Sequence, residues 1–492
     1  VNRQAVIPTV AAAFAAAAAA VLLGLRVESA ISLARPLLVV TSGAEEEAIL
    51  GVLRAMDGQA YVDTARIPFA ATYYNWAFYD LYAAFIRMVL AMFGLGIDWA
   101  TTAGRFLSLL ATFACGLVAS AAITRVAPGC SVPVRLHNAA LTAWLSIGPL
   151  VGYWAISINV ELWAHLCTMA AMLVMMIAYE RNRLGAVAAA SLLSLAAWSF
   201  KQSYIFAPMA MGLFLLIRRD WRGIALAVVL HLAGLAATLG FGSPEYRAMM
   251  LAWRGSDFAL WQLSRNLLNV GVKILPVAVA AALAAPLMLN RRALAADTPL
   301  LLGLCGLIAT APIIPAAAKV GAAENYFFPL VFFLALLGAR GVAELDRRHW
   351  PRLPSLVLAA AWGAEMVACA LVIGGVTGSN GVSHLDRRYG EQRPCVAQLP
   401  SPMYAFDPYL ALPWMHADGP YFVLAYQYAM ERAAGRSFER GGIGGLVGEG
   451  YFASVVLPTG MPAEIDGTPL AERYRLDRRG CAGLDIYLRA GN

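Results

Sequence analysis

ELWAHLCTMAAMLVMMIAY, residues 161–179, decides the class of fold. One carboxylate stands at its head and one histidine a turn below, and nothing after them is charged until Glu180-Arg181-Asn182-Arg183. A helix of about 20 mainly apolar residues crosses a hydrocarbon core of about 30 Å, and this run has the length to do so. Outward from it the pattern repeats. Further apolar runs lie near 5–25, 103–123, 137–155, 185–200, 203–217, 223–241, 267–289, 299–316, 325–340 and 354–376, so roughly eleven spans are expected.

Composition agrees with a chain that lives in lipid. Hydrophobic residues make up 60% and charged residues 14%, with a mean hydropathy of +0.64; a soluble chain carries about 25% charged residues. The net charge of +7 raises nucleic acid as a partner, but the arginines responsible sit in short loops. Arg125 and Arg135, Arg181 and Arg183, Arg218, Arg219 and Arg222, Arg291 and Arg292, and Arg347, Arg348 and Arg352 fall in alternate loops. The positive-inside rule makes these loops cytoplasmic. The N-terminus is then inside and the C-terminus outside. The first run reads as a retained anchor, with a cleaved signal peptide as the alternative.

Two segments are too large to be connectors: residues 26–102, a long first outer loop, and residues 377–492, where Gly, Pro and charge increase. The second contains β-like runs at Tyr421–Ala425 and Ala453–Leu457 around a helical, turn-rich stretch from Gln427 to Gly450. The expected fold is an all-α polytopic membrane protein, residues 1–376, followed by a small α/β extracytoplasmic domain, residues 377–492. The Gly441–Gly445 run lacks the spacing of a phosphate loop. Cys395 and Cys481 alone of the seven cysteines fall in the outer domain, where a bridge and two free thiols both remain open.

Candidate chemistry gathers at the outer face. The first loop opens with Thr41-Ser42-Gly43-Ala44-Glu45-Glu46-Glu47, ahead of a helical pattern from Ala48 to Met56. Thr41 or Ser42 is a natural cap for that helix, and acids suit its first turn. The aromatic stretch Tyr73-Tyr74-Asn75-Trp76-Ala77-Phe78-Tyr79-Asp80-Leu81-Tyr82 should lie in the interface. The chain has three lysines, Lys201, Lys273 and Lys319, all near outer span ends. This runs against the positive-inside tendency, and an anionic lipid phosphate on that face would account for it. Glu161, at a span head, needs solvation or a partner, and His165 on the same helix face reads as a packing residue.

These features together resemble the GT-C glycosyltransferases, in particular the protein O-mannosyltransferases and the lipid A aminoarabinose transferase. In that family a long first outer loop carries paired acids and a helix ending in Arg-x-Met; Glu45-Glu46 and Leu53-Arg54-Ala55-Met56 stand there in this chain. Glu161 matches a second acid, Lys201-Gln202 a Lys-containing outer turn, and Glu324-Asn325-Tyr326-Phe327-Phe328-Pro329 a Tyr-x-x-Pro entry to a span. Two departures stand out: Glu45 replaces an Asp, and Tyr74-Asn75-Trp76 stands where prolines are frequent. The resemblance implies transfer of a sugar from a polyprenyl-phosphate donor to an envelope acceptor, at the outer face of a bacterial cytoplasmic membrane. Glu45 would be general base, with Glu46 orienting the site, and a single displacement would invert the anomeric carbon. Lys201, then Lys319, would meet the lipid phosphate, with Gln202, Tyr74, Asn325 and Tyr326 around the substrate. Family members differ in metal use, which leaves open a divalent cation between Glu45 and Glu161. A flippase for lipid-linked sugars is the main rival, although no internal repeat is evident. A glycan polymerase or ligase is the second rival.

Overall fold

The computed structural model describes residues 3–32, 38–39, 43–251, 258–348, 353–375, 382–416, 419, 422 and 425–491. Its helices in chain order begin with α1 (Arg3–Ser32), α2 (Glu46–Met56), α3 (Trp76–Phe93), α4 (Ala100–Val126) and α5 (Val132–Ile147). Next are α6 (Glu161–Ala178), α7 (Arg183–Phe200), α8 (Phe206–Ile217), α9 (Trp221–Phe241), α10 (Pro244–Leu251) and α11 (Leu260–Ala282). After short α12 (Ala285–Leu289) and α13 (Arg291–Ala296) the bundle closes with α14 (Thr298–Ala309), α15 (Ile313–Ala316), α16 (Phe328–Arg347) and α17 (Leu353–Gly375). Each of the eleven expected spans falls on helix, but 267–289 is divided between α11 and α12 and 299–316 between α14 and α15, and the run at 137–155 is shorter and shifted to Val132–Ile147.

Polar contacts sort the helix ends into two faces. On one, Tyr179 donates to Asp220 and Arg218 to Glu180 and Thr298; Arg340 pairs with Asp297, and Ser131 bonds Asp346. On the other, the start of α6 meets the end of α7 through Glu161 and Lys201, and the early turns of α4 meet the same region through Arg105 and Thr112. Ten described stretches are long and apolar enough to cross a membrane, and one of them is α3. Its first residues are tied to the end of α7, Asn75 donating to the carbonyls of Trp198 and Phe200. Its last leads through a left-handed Gly94 into the start of α4. Tyr82 meets Ser108 and an added Cβ on Gly104 would reach toward Ile86, so α3 doubles back over α4. Both its ends therefore lie on one face, and α3 rests along that face. The aromatic interfacial segment is thus longer than 73–82. α5 and α8, at 16 and 12 residues, are short yet carry the chain between the faces.

Without a hydrophobic drive between helices in lipid, close packing and polar ties hold such a bundle. A Cβ on Gly104 would sit 2.5 Å from Ile158 Cδ1; the missing side chain lets α4 approach the loop before α6, where the site is built. Arg26, fully buried near the end of α1, donates to the carbonyls of Ile147 (2.6 Å) and Gly148 (3.2 Å) and to that of Gly152. The Ile147 carbonyl is the last of α5 and one that the helix end leaves without an intrahelical partner.

Beyond the bundle, two short strands, β1 (Leu38–Val39) and β2 (Gly43–Ala44), pair ahead of α2. The C-terminal region carries α18 (Val382–Val396), β3 (Met403–Ala405), α19 (Ala425–Ala433), α20 (Gly442–Gly448) and β4 (Ser454–Pro458). It ends with β5 (Glu464–Ile465), β6 (Thr468–Pro469), β7 (Tyr474–Cys481) and β8 (Leu484–Arg489). The four-stranded sheet runs β3-β4-β8-β7, with β3 parallel to β4 and the rest antiparallel. The Ala453–Leu457 run is thus a strand; Tyr421 and Val423–Leu424 lie outside the described residues, and Ala425 begins a helix. Cys395 and Cys481 form a disulfide, joining α18 to β7. The first loop docks here. Phe69, held at φ 56°, inserts its ring among Phe422, Tyr428 and Phe438. A phenylalanine pays for such a backbone only where its surroundings fix it; this packing does so.

Candidate active site

Two acid–base pairs occupy the face that carries the C-terminal region. The first is Glu45 with Arg105, both without exposed side-chain surface. Arg105 Nε donates to Glu45 Oε1 at 2.7 Å and its Nη2 to the same oxygen, while the Ile158 backbone N–H donates to Oε2 at 2.8 Å. Glu45 itself is the residue at the N-cap of α2, with no side-chain cap bond; Thr41 and Ser42 lie outside the described residues. A carboxylate held by a guanidinium and an amide, closed to solvent, is a tie between the first loop, α4 and the α5–α6 connection. It does not present an oxygen to an incoming hydroxyl, and both oxygens are engaged, so a cation shared with Glu161 does not fit this geometry. Among the described residues no three His, Cys, Asp or Glu side chains gather to hold a metal.

The second pair is Glu161 with Lys201. Lys201 Nζ lies 2.5 Å from Glu161 Oε1, and Asn325 Nδ2 donates to the same oxygen at 2.6 Å. Glu161 Oε2 and Asn325 Oδ1 are buried and have no hydrogen-bond partner among the described residues. Buried polar atoms are almost always satisfied, so this pair is built with capacity in reserve. The rings of Tyr326 and Tyr74 flank the ammonium at 5.2 and 5.9 Å. An ammonium has three N–H donors; one is used by Glu161, and the aromatic walls favour a cation without consuming the others.

The elements explain the assembly. Asn159 donates to the Trp154 and Ser157 carbonyls and accepts from the Glu161 N–H at 3.1 Å, which fixes the start of α6. Lys201 sits where α7 ends in an extended residue. The short helical turn Glu324–Phe327 feeds Asn325 and Tyr326 in from the third side. Next to it Glu324 pairs with Lys273 at 2.9 Å, so that lysine is already matched. Gln202 donates to the Tyr73 carbonyl, with its Oε1 unsatisfied. Lys319 lies in the turn preceding Glu324 and makes no ion pair among the described residues. His165 packs between Phe328 and Phe332, as a core histidine does. Arg254 lies outside the described residues, as does the side chain of Glu46.

Sequence reasoning missed Glu47 and Arg105. Glu47 is half-buried in the first turn of α2. Burial, then the charges of Glu161 and Glu47, push the Tyr74 hydroxyl well above its usual range. Glu47 therefore belongs to the same electrostatic neighbourhood as Lys201. Its signal was present in the triple acid run; what was not legible was which of the three would be consumed by an arginine. Asn75, at the position where prolines were expected, ties the loop to α7 and accepts from the Tyr246 hydroxyl.

No family model matches the chain, and no curated protein matches it. Solved structures do. ArnT from Cupriavidus metallidurans in the apo state superposes with a TM-score of 0.62 at 15% identity, over 96% of this chain and 97% of that one. The same protein bound to undecaprenyl phosphate gives 0.60 at 14% identity, over 97% and 98%. The Archaeoglobus fulgidus oligosaccharyltransferase in complex with Zn and sulfate gives 0.54 at 13% identity, over 97% of this chain and 73% of that one. The chain thus has the fold of these two membrane transferases, from its first helix to its C-terminal sheet.

Proposed function

We propose that this chain is a GT-C-type glycosyltransferase that moves a sugar from a polyprenyl-phosphate carrier to an acceptor in the cell envelope. The observation that carries this is the Lys201–Glu161–Asn325 cluster: a cation with donors to spare, walled by tyrosines, at the membrane end of a fold shared with an undecaprenyl-phosphate-binding protein. The leaving group is a lipid phosphate whose charge grows as the sugar departs, and a fixed ammonium in a site of low dielectric stabilises it. Lys201 supplies that charge, and Glu161 and Asn325 hold it in place. Asn325 and Tyr326, with Tyr74 and Gln202, surround the bound head group, and Lys319 is the second phosphate contact.

The acceptor hydroxyl loses a proton to a carboxylate as it attacks. The enclosure of Glu45 argues for a role as the brace that sets α2, and Glu47, half-buried in the first turn of that helix, is the base. Glu46 would orient the acceptor from that turn. Attack opposite the phosphate inverts the anomeric carbon. The C-terminal region, the disulfide and the lysines lie on one face and the arginine-rich loops on the other, which supports an extracytoplasmic site with the N-terminus cytoplasmic.

The test is transfer of radiolabelled sugar from a panel of polyprenyl-phosphate monosaccharides into an envelope extract. Glu47→Gln should lower the rate by about 10²–10⁴-fold with the thermal midpoint unchanged. Undiminished transfer by this variant overturns the assignment of the base. Movement of lipid-linked sugar across liposomes, with no transfer from any donor, overturns the transferase.

A further inference from the structure

Residues 316–323, Ala-Ala-Ala-Lys-Val-Gly-Ala-Ala, lead from α15 into the turn that carries Asn325. Lys319 is the one polar side chain among them, and Gly321 takes a left-handed backbone at φ 90°. Apart from that lysine, the stretch has no side chain with which to bond its own backbone or fix its own course. Ala317 and Ala322 are nonetheless buried, and a buried backbone carbonyl needs a partner.

The partners come from one helix. Gln262 Nε2 donates to the Ala322 carbonyl at 2.7 Å, and Asn266 Nδ2 to the carbonyls of Ala317 at 2.9 Å and Ala322 at 3.1 Å. Just before α11, the Ala259 N–H donates to the Ala318 carbonyl at 2.8 Å, and Phe258 bridges Lys319. Farther along, Lys273 Nζ meets Glu324 Oε1 at 2.9 Å, and that carboxylate is 3% exposed. Gln262, Asn266 and Lys273 stand four and then seven positions apart, about one and two turns, so they form a single stripe. Leu268, Val272, Leu275 and Val279 are exposed and form the opposite, lipid-facing side. Polar side chains in a membrane helix are costly and turn toward the bundle; here all three meet residues 317–324.

The stripe ends where the candidate site begins. Glu324, held by Lys273, is the chain neighbour of Asn325, which donates to Glu161 beside Lys201. The two lysine–glutamate pairs are thus joined through one peptide unit, and consecutive Cα atoms are fixed about 3.8 Å apart. A displacement of Glu324 is therefore carried to Asn325.

We propose that Lys273 is a positioning residue for transfer: with Gln262 and Asn266 it clamps residues 317–325 and sets Asn325 against Glu161 and Lys201, without touching substrate itself. This rests on the transferase reading for the reaction, and on the contacts of α11 alone for the clamp.

The experiment uses the full chain in lipid nanodiscs and takes two readouts. In hydrogen exchange, Lys273→Met should speed the amides of 319–327 by about tenfold and leave the β7–β8 hairpin unchanged. In transfer from a polyprenyl-phosphate monosaccharide, the same variant should raise the donor KM by about threefold at constant kcat. A mere loss of folded protein would lower kcat and leave KM alone. Added to Asn325→Leu, Lys273→Met should raise KM no further, because both act through one contact. Gln262→Met, which removes a donor to Ala322, carries the same expectations should Lys273→Met not fold. Unchanged exchange at 319–327 overturns the clamp, and KM effects that multiply in the double variant overturn the positioning role. Exchange needs no turnover, so a chain that exchanges as described yet transfers no sugar from any donor keeps the clamp and loses the transferase.

Discussion

Glu45–Arg105 and Glu161–Lys201 are both carboxylate–cation pairs on the same face of the bundle, and they are opposites in construction. The first is sealed: every oxygen is used, and neither side chain has exposed surface. The second leaves one carboxylate oxygen and one amide oxygen without partners among the described residues, and its lysine is 13% exposed. Arginine, with a planar fork and permanent charge, suits a fixed brace, whereas a lysine ammonium is a point charge with rotatable donors. The difference separates holding the first loop in place from meeting a substrate, although a string of acidic residues looks the same in either role.

The largest effect should come from breaking the sealed pair on one side. Arg105→Leu leaves a buried carboxylate uncompensated and should cost about 3–5 kcal/mol, read as a drop in the thermal midpoint in detergent. Replacing both partners, Glu45→Met with Arg105→Met, should recover most of that loss. If the single variant is as stable as wild type, the pair is not a brace.

Breaking the open pair should do the reverse. Lys201→Ala leaves Glu161 with Asn325 as its remaining partner, so it should cost less thermal stability than Arg105→Leu and lower transfer by about 10²–10³-fold, the range for removing one charge-stabilising donor, with partial recovery in Lys201→Arg. A rate unchanged by Lys201→Ala would remove the phosphate contact from this cluster. Glu161→Gln keeps an oxygen facing the ammonium but deletes the charge that positions it, so a loss of about tenfold, ~1.4 kcal/mol, is expected. Asn325→Leu should be the mildest, raising the donor KM by about three- to fivefold through one lost hydrogen bond with little change in kcat. A fall in kcat alone would place Asn325 with the reacting atoms instead.

Much of this architecture was legible from residue order. Apolar length marked the spans, because backbone groups in lipid must pair within a helix or a closed barrel. Glu161 and Lys201 were marked one at a time, because charge at a span end is costly and therefore conspicuous, whereas Asn325 was marked only by the family resemblance of the stretch it stands in. α3 was half legible: Tyr73–Tyr82 announced an interfacial helix, but the apolar continuation to Phe93 looks the same whether the helix crosses or rests on the surface. Only its ties to α7 at one end and α4 at the other distinguish the two. The brace was not legible at all. Arg105 sits within an apolar run, 60 positions from Glu45, and Arg26 likewise turns out to cap α5 across 121 positions.

The sequence by itself determined that this chain crosses a membrane many times, which stretches cross, and which few polar residues stand at the crossings. Those are one-dimensional properties, set by transfer free energy and helix length. Tertiary structure decided which acid is consumed by which cation and which oxygens stay unpaired. Each depends on distances of a few ångströms between segments far apart in the chain, and such distances are fixed only when the helices pack.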